Sequence, residues 1–225
     1  MIQAVLFDMD GTVFDTEPIY RRGWIRAAKE VGFDEDMDLF FARICGLNMT
    51  DIAACVYHFY GEDTPFEGIR TLRRGYLDEE LKSGVLPFKA GAPEIFVELK
   101  KRGIKIALAT STGRKMVDRY LQMSELAGVF DVIVTGETVT HGKPHPEIFL
   151  TAAQRLGVSP EHCVVVEDSH HGVRAGHAAG MKTVMVPDLQ PCTEEISSLL
   201  WHRCDKLTDL IPLIDEENNT PSIFE

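Results

Sequence analysis

The chain has 225 residues, of which 44% are hydrophobic and 26% charged, which is the composition of a globular protein with a substantial core. Its net charge of −12 at pH 7 excludes nucleic acid and anionic membranes as general partners, and its apolar runs are too short to cross a bilayer. The N-terminus lacks the features of a signal peptide, and the five cysteines form no CxxC pair. We therefore expect a cytoplasmic, monomeric protein without a disulfide framework.

Five short apolar runs predict buried parallel strands, because strands covered on both faces have continuous hydrophobic sequences. These runs are residues 4–7, 104–109, 132–134, 163–166 and 183–186. The segments between the later runs have helical periodicity; their helices are expected to begin near Pro93, Pro146 and Ser169 and to end near Gly103, Gly157 and Gly180. This alternation predicts an α/β fold with a Rossmann-like parallel sheet at its centre.

One long segment, residues 16–86, interrupts the alternation with helical patterns and no convincing strand. Apolar residues recur there at helical spacing in three groups: Ile19, Trp24, Ala27, Ala28 and Val31; Ile52, Val56, Phe59 and Tyr60; Ile69, Leu72, Tyr76 and Leu77. We predict a helical cap domain over residues 16–86, inserted after the first strand of a catalytic core made of residues 1–15 and 87–225. The tail from residue 215 to 225 is predicted to be frayed, although Ile223 and Phe224 could dock.

Polar side chains with complementary chemistry follow four of the predicted strands. They are Asp8 and Asp10 after the first strand, Thr110 and Ser111 after the second, Lys143 beyond the third, and Glu167 and Asp168 after the fourth. In an open parallel sheet these positions meet at one edge, where ligands bind. Clustered carboxylates need a cation, and oxygen ligands favour Mg²⁺ over zinc. The lysine and the hydroxyls can donate to phosphoryl oxygens, so the pattern predicts phosphoryl transfer.

Within this predicted site Asp8 is the candidate nucleophile, which would form an aspartyl phosphate. Asp10 is the candidate acid and base, which would protonate the leaving oxygen and then activate water. Thr110, Ser111 and Lys143 are the candidate substrate-binding residues. Each motif alone is also typical of a turn, a helix cap or a loop. Their occurrence together, each beyond a different strand, favours catalysis.

The four motifs resemble those of the haloacid dehalogenase superfamily, and the likeness covers nearly the whole chain. The segment Asp8-Met9-Asp10-Gly11-Thr12-Val13 resembles the first motif, Thr110 the second, Lys143 in Gly142-Lys143-Pro144 the third, and Glu167-Asp168-Ser169 the fourth. The resemblance implies that Mg²⁺ is held by Asp8, the backbone carbonyl of Asp10 and Asp168, with Glu167 bound directly or through water. The helical insertion resembles the small cap of the beta-phosphoglucomutase-like branch.

Within that superfamily, Asp10 disfavours a haloacid dehalogenase, which needs no leaving-group acid there. The cap segment 45–49 has no lysine for the Schiff base of a phosphonoacetaldehyde hydrolase. The mutases of this branch carry a histidine where this chain has Tyr20 and an arginine near Met49, whereas Trp24 matches them. The segment Asp15-Thr16-Glu17-Pro18 resembles the branch's phosphatases. We therefore favour a phosphatase of a small phosphorylated metabolite, such as a sugar phosphate, over a mutase or a non-catalytic metabolite sensor.

Substrate choice is expected to depend on the cap, because the groups at the sheet edge handle only the phosphoryl unit. The candidates are Tyr20, Trp24, Asn48, Arg73 and Arg74. The alternative interpretation for the two arginines is that they lie on a solvated helix face, which is the more common position of an arginine on a helix.

Overall fold

The computed structural model describes residues 1–82 and 86–220, and these contain six parallel strands in one sheet. The strands are β1 (Ala4–Phe7), β2 (Lys105–Thr110), β3 (Val132–Thr135), β4 (Cys163–Glu167), β5 (Lys182–Met185) and β6 (His202–Arg203). The five predicted strands are confirmed to within one residue at each end. The sequence analysis missed β6, because two exposed residues carry no hydrophobic pattern.

Strand β1 lies in the interior of the sheet, whose order is β3-β2-β1-β4-β5-β6. Its Phe7 lies between Leu108 of β2 and Val166 of β4, and the whole strand is buried. The chain builds the sheet from β1 through β2 to β3 on one side, and then crosses from β3 to β4 on the other side of β1. The carboxyl end of β1 is therefore the switch point of the sheet, where open α/β folds bind their ligands.

Helices cover both faces of this sheet. They are α5 (Ala92–Lys101), α6 (Arg114–Met123), α7 (Glu147–Leu156), α8 (His170–Ala178), α9 (Glu194–Ser197) and α10 (Leu210–Asn219). Alternate residues of β1 contribute to the two faces: Val5 packs in the cluster that contains Phe96 of α5, and Leu6 in the cluster that contains Phe149 of α7. The helix boundaries predicted from proline, serine and glycine are confirmed, including the Ser169 cap, whose side chain accepts from the backbone N–H of Gly172.

The chain between β1 and α5 is helical, as predicted. It contains α1 (Glu17–Glu30), α2 (Met37–Ile44), α3 (Met49–Tyr60) and α4 (Phe66–Leu81). These helices form the cap around their own aromatic core, in which the Trp24 ring lies 5.3 Å from the ring of Phe40 and 5.9 Å from that of Phe66. Phe59 does not belong to this buried face: it is 51% exposed and lies beneath the Arg43 guanidinium. The boundaries at residues 16 and 86 stay a prediction.

The predicted fraying of the tail is wrong for the described residues at its start. Residues 215–219 complete α10, where Asp215 forms an ion pair with Arg102 and Asn218 donates to the carbonyl of Ile2. Residues 215–219 are all polar, and the buried residues Leu210 and Ile214 precede them, so the hydrophobic pattern does not extend over this end of the helix. Ile223 and Phe224 lie outside the described residues. Among the described helices, none is long and apolar enough to cross a membrane.

Candidate active site

The predicted site residues meet at the carboxyl edge of the sheet. Asp8 directly follows β1, Thr110 ends β2 and Glu167 ends β4, while Lys143 lies in the loop between β3 and α7. The backbone N–H of Asp8 continues the strand pairing by donating to the carbonyl of Val166 at 3.0 Å. The sheet therefore fixes the backbone of Asp8, and groups that are distant in sequence are brought around it.

Lys143 connects two of these carboxylates in the protein interior. Its side chain is 1% exposed, and its Nζ donates to Asp8 Oδ1 at 2.5 Å, to Glu167 Oε1 at 2.5 Å and to the carbonyl of Ala109 at 3.1 Å. Burial opposes the charged ammonium, but the two carboxylates outweigh it and hold the pKa of Lys143 above its usual value. All three ammonium protons are thus directed to fixed acceptors.

Glu167 is held from the opposite side. Its Oε2 accepts from the backbone N–H groups of Asp168 and Ser169, at 3.2 and 3.3 Å, and from the Ser169 hydroxyl at 3.0 Å. Gly172 allows this approach, because a Cβ there would lie 1.9 Å from Glu167 Oε1. With both oxygens occupied, Glu167 acts in this geometry as the anchor of Lys143.

Asp8, Glu167 and Asp168 form a trio whose ligand oxygens lie within 4.8 Å of one another, all of them buried. Burial raises the pKa of Asp8 to about 8 against the influence of Lys143, and burial together with Glu167 raises the pKa of Asp168 well above its ordinary value. Three carboxylates face one ammonium, so the trio lacks positive charge. A hard divalent cation with oxygen ligands fits this donor set.

Asp10 has a different environment from the trio. Its carboxylate accepts from the hydroxyls of Thr16 at 2.8 Å and Thr112 at 2.6 Å, and burial raises its pKa above the ordinary value. The structure brings Asp10 to the same cavity as Asp8, but its carboxylate is not one of the three clustered acids. The sequence analysis did not single out Thr112 as a partner of Asp10; its place in the Thr110-Ser111-Thr112 run was the available signal.

The two predicted hydroxyl groups have separate partners. Thr110 Oγ1 accepts from the backbone N–H of Thr112 at 3.1 Å, which leaves its own proton free to donate. The Ser111 hydroxyl donates to the carbonyl of Gly46, a cap residue, at 3.0 Å. Gly46 has φ +81°, and a Cβ there would lie 2.5 Å from Ser169 Oγ. The cap segment at Gly46 is therefore in direct contact with the edge of the sheet.

A cavity of about 510 Å³ lies between the sheet edge and the cap, a size typical of small-molecule sites. We call its lining from the core strands, Asp8, Asp10, Thr110 and Asp168, the edge wall. The helices α1 and α4 contribute Tyr20, Trp24, Arg73 and Arg74, which we call the cap wall, and they also contribute Glu17, Leu77 and Asp78 to the lining. Asn48 is instead the N-cap of α3: its side chain accepts from the N–H of Asp51, and it does not line this cavity.

Comparison with known proteins places this architecture in a family. The family model described as haloacid dehalogenase-like hydrolase matches residues 5–186. The phosphorylated carbohydrates phosphatase of Thermotoga maritima is 36% identical over 186 residues, which are 81% of this chain and 84% of that protein. Hexitol phosphatase B of Escherichia coli K12 is 30% identical over 190 residues, covering 83% of this chain and 84% of that protein.

Solved structures agree with the sequence comparison. CbbY from Rhodobacter sphaeroides, crystallised in complex with phosphate, superposes with a TM-score of 0.77 at 26% identity, covering 93% of this chain and 96% of that one. A beta-phosphoglucomutase from Clostridium difficile superposes with a TM-score of 0.81 at 26% identity, covering 97% and 98%. These similarities extend over the core and the cap together, so the chain belongs to the haloacid dehalogenase-like hydrolases, close in structure to their beta-phosphoglucomutase and CbbY members, as its motifs predicted.

Proposed function

We propose that this protein is a Mg²⁺-dependent phosphomonoesterase that acts on a small phosphorylated metabolite through an aspartyl phosphate on Asp8. The observation that carries the proposal is the environment of Asp8: one oxygen is bound by the ammonium of Lys143, and the carboxylate belongs to a buried trio with Glu167 and Asp168. This combination of acids and a fixed cation at a cavity suits phosphoryl transfer, where neutralising oxygen charge supplies most of the catalysis.

The metal fits the residues that are present. We propose Asp8, Asp168 and the backbone carbonyl of Asp10 as ligands, with Glu167 acting through a water molecule because its oxygens already hold Lys143 and the start of α8. Bound there, Mg²⁺ would supply positive charge to the phosphoryl oxygens. Gly11 supports this assignment, because a Cβ at that position would lie 2.3 Å from Asp168 Oδ2 and displace it.

The proposed reaction has two steps. In the first, a carboxylate oxygen of Asp8 attacks phosphorus, the ester P–O bond breaks, and Asp10 gives its proton to the leaving oxygen. In the second, Asp10 takes a proton from water, whose oxygen attacks the phosphoryl group and releases phosphate and the Asp8 carboxylate. The raised pKa of Asp10 suits this exchange, because it increases the protonated fraction that the first step requires.

Three donors are proposed to bind the transferred phosphoryl group. The ammonium of Lys143 donates to Asp8 Oδ1 at 2.5 Å. It is therefore close enough to stabilise the negative charge that develops on the phosphoryl oxygens when Asp8 attacks phosphorus. Thr110 retains a free hydroxyl proton. For Ser111 we propose the backbone N–H as the donor, since its hydroxyl binds the carbonyl of Gly46.

The substrate class rests on the relatives. Two curated proteins that match more than four-fifths of this chain are named as phosphatases, one of phosphorylated carbohydrates and one of hexitols. We propose a sugar or polyol phosphate as the substrate. We also propose that residues 16–86 form the cap domain that selects it and that residues 1–15 and 87–225 form the catalytic core.

A sugar-phosphate mutase is the second candidate, supported by the superposition with the Clostridium difficile beta-phosphoglucomutase. Tyr20 and Met49 disfavour it, since they stand where the resemblance leads us to expect a histidine and an arginine. In the structure the Tyr20 hydroxyl is hydrogen-bonded to that of Tyr120 at 2.8 Å. Tyr20 is thus part of a pair of phenols, and this position lacks the imidazole that the histidine of the mutases would provide.

The test is phosphate release from a panel of sugar phosphates, polyol phosphates and p-nitrophenyl phosphate, with Mg²⁺ and with EDTA. We expect release that EDTA abolishes and added Mg²⁺ restores. Isomerisation of a hexose 1-phosphate that depends on a hexose 1,6-bisphosphate would establish the mutase instead. Phosphate binding without turnover of any ester would contradict both the phosphatase and the mutase proposals, and it would favour a non-catalytic metabolite sensor.

A further inference from the structure

Arg73 is a cation that lines the cavity between the cap and the sheet edge. It lies on α4 in the cap wall, and its Nε is shielded from solvent without a hydrogen-bond partner. Within residues 1–82 and 86–220 it forms no ion pair. By contrast Arg70, one helical turn earlier, is paired with Glu67 at 2.7 Å. Arg70 and Arg73 therefore differ: Arg70 forms an ion pair at the surface, whereas Arg73 lines the cavity.

Aromatic rings hold the Arg73 guanidinium in place. Its central carbon lies 4.8 Å from the ring centroid of Trp24 and 5.4 Å from that of Tyr20. Stacking of this kind orients a planar guanidinium, but it replaces only part of the hydration that burial removes.

The charge of Arg73 is costly in this position. Burial is the main cause that lowers its pKa from the usual arginine value. A guanidinium removed from bulk solvent needs oxygen acceptors, and Arg73 lines the cavity, where a bound ligand can supply them. A neutral hydroxyl would satisfy the hydrogen bonds but not the charge, whereas a carboxylate or phosphate satisfies both.

The other charged residues of the lining differ from Arg73. Arg74 of the cap wall and Lys115 of α6 line the cavity without an ion pair in the described ranges, but both are exposed to solvent, which stabilises their charges. The acids of the lining are Asp8, Asp10 and Asp168 at the edge wall, with Glu17, Asp78 and Glu137. Asp78 forms an ion pair with Arg119, and Glu17 lies against Asp168. Arg73 is therefore a cation on the cap side of the cavity that the transferred phosphoryl group, bound by Lys143, does not use.

We propose that the substrate carries a second anionic group, a phosphate or a carboxylate, in addition to the phosphoryl group that is removed, and that Arg73 binds it. The proposal rests on the proposed phosphatase activity and extends it to the selection of substrate by charge. Arg73 is then a specificity-determining residue, and the edge wall performs the same chemistry on any ester that reaches it.

Two matched pairs of substrates test this. Fructose 1,6-bisphosphate and fructose 6-phosphate differ by a phosphate, and 6-phosphogluconate and glucose 6-phosphate differ by a carboxylate. For at least one pair we expect the member with the second anionic group to have the higher kcat/KM. Arg73→Gln should lower the ratio of the two kcat/KM values about tenfold or more, mainly through the KM of that member, because the variant loses a charge-assisted hydrogen bond to the second anionic group. Arg73→Lys should restore part of the ratio.

The matched control is Arg70→Gln, on the same helix and outside the cavity, which should leave the ratio unchanged. Because both kcat/KM values of a pair are measured on the same variant, their ratio does not change when less of that variant is folded. If the wild type hydrolyses neither these four esters nor any member of the wider panel, the phosphatase proposal itself fails. If it hydrolyses esters of the panel but prefers neither fructose 1,6-bisphosphate nor 6-phosphogluconate to its partner, or if Arg73→Gln keeps the preference, the inference about Arg73 is overturned while the phosphatase proposal stands.

Discussion

The edge wall and the cap wall of the cavity satisfy their charges in different ways. On the edge wall, the strand ends bring Asp8 and Asp168 together with Glu167, and Lys143 compensates part of their charge inside the protein. On the cap wall, Arg73 contacts aromatic rings and forms no ion pair within the described residues. The edge wall is therefore preorganised for a phosphoryl group. The cap wall instead presents the charge of Arg73, for which we have proposed an anionic group of the substrate as the partner.

This difference separates reaction from recognition. The edge wall is built from residues next to buried strands, whose positions the sheet fixes. The cap wall is built from helix surfaces that reach the sheet edge through the segment at Gly46, whose carbonyl accepts from Ser111. Substitutions in the two walls should therefore have distinct signatures, in kcat for the edge wall and in substrate preference for the cap wall.

The largest expected effect is that of Asp8→Asn. An amide is a poor nucleophile and a weaker metal ligand, so turnover should fall by about four orders of magnitude or more. The measurement is phosphate release from p-nitrophenyl phosphate, with circular dichroism to confirm folding. Asp118→Asn, an exposed partner of Arg114, is the control and should have near wild-type activity. Activity of Asp8→Asn within tenfold of wild type, a margin of about 1.4 kcal/mol, would contradict the covalent mechanism.

Lys143→Ala should affect both catalysis and stability. It leaves the buried carboxylates of Asp8 and Glu167 without their ammonium, so kcat should fall by about two orders of magnitude or more. The free energy of unfolding at neutral pH should decrease by about 3–5 kcal/mol. Both are measurable, by kinetics and by urea denaturation. Lys100→Ala, at an exposed lysine of α5, is the control. Unchanged stability of Lys143→Ala would show that these acids do not depend on Lys143.

Gly46→Ala should disturb the contact between the cap and the edge wall. Its Cβ would lie 2.5 Å from Ser169 Oγ, so the cap segment must move away from the site, and we expect kcat/KM to fall by about 10- to 100-fold. Gly32→Ala is a matched control, because Gly32 also has positive φ but no atom lies within 4 Å of the added Cβ. Equal effects of the two substitutions on kcat/KM would show that backbone strain alone is responsible.

Stabilisation by Mg²⁺ should depend on pH. The pKa of Asp8 is raised to about 8 in the native metal-free protein, so between about pH 4 and about pH 8 the native state holds a proton that the unfolded chain has lost. Binding of this proton stabilises the native state relative to the unfolded chain at low pH, and this stabilisation is lost as the pH rises from about 4 towards about 8. Below about pH 8, Mg²⁺ must displace the same proton in order to bind.

Calorimetry with and without Mg²⁺ should therefore show a larger stabilisation at about pH 8 than at about pH 6, by about 1–3 kcal/mol. Arg73→Gln, in the cap wall, should keep this difference. Asp168→Asn should reduce it, since it removes one of the clustered carboxylates. The same stabilisation at both pH values would contradict proton–metal competition at Asp8.

The smallest expected effect is that of Ser111→Ala. The variant loses the hydrogen bond to the Gly46 carbonyl but keeps the backbone N–H that we assign to the phosphoryl group, so kcat/KM should fall by about fivefold, or about 1 kcal/mol. Ser198→Ala, which removes an exposed hydroxyl that donates to the Glu195 carbonyl, is the control. A loss for Ser111→Ala as large as that for Lys143→Ala would place the hydroxyl on the substrate instead.

Much of the core was predictable from local patterns. Strand β1 is buried on both faces, so Ala4–Phe7 reads as an uninterrupted apolar run, and Pro146 and Gly157 bracket α7 through conformations that these residues favour. Strand β6 and the helix α10 were not predictable in the same way. The residues of β6 and of the second half of α10 are polar, and they are ordered by contacts with β5, Arg102 and Ile2, which no local pattern records.

By itself, the amino-acid sequence determined the α/β core, the helical insertion and the set of acids, hydroxyls and lysine beyond the strands, because hydrophobic period and motif spacing are properties of neighbouring residues. Only the tertiary structure decided how those groups are paired: Lys143 between Asp8 and Glu167, Thr112 on Asp10, Ser111 on the cap, and Arg73 in the cavity while Arg70 stays at the surface. Burial and partner choice depend on segments brought together by folding, and two arginines three residues apart acquire different roles for that reason.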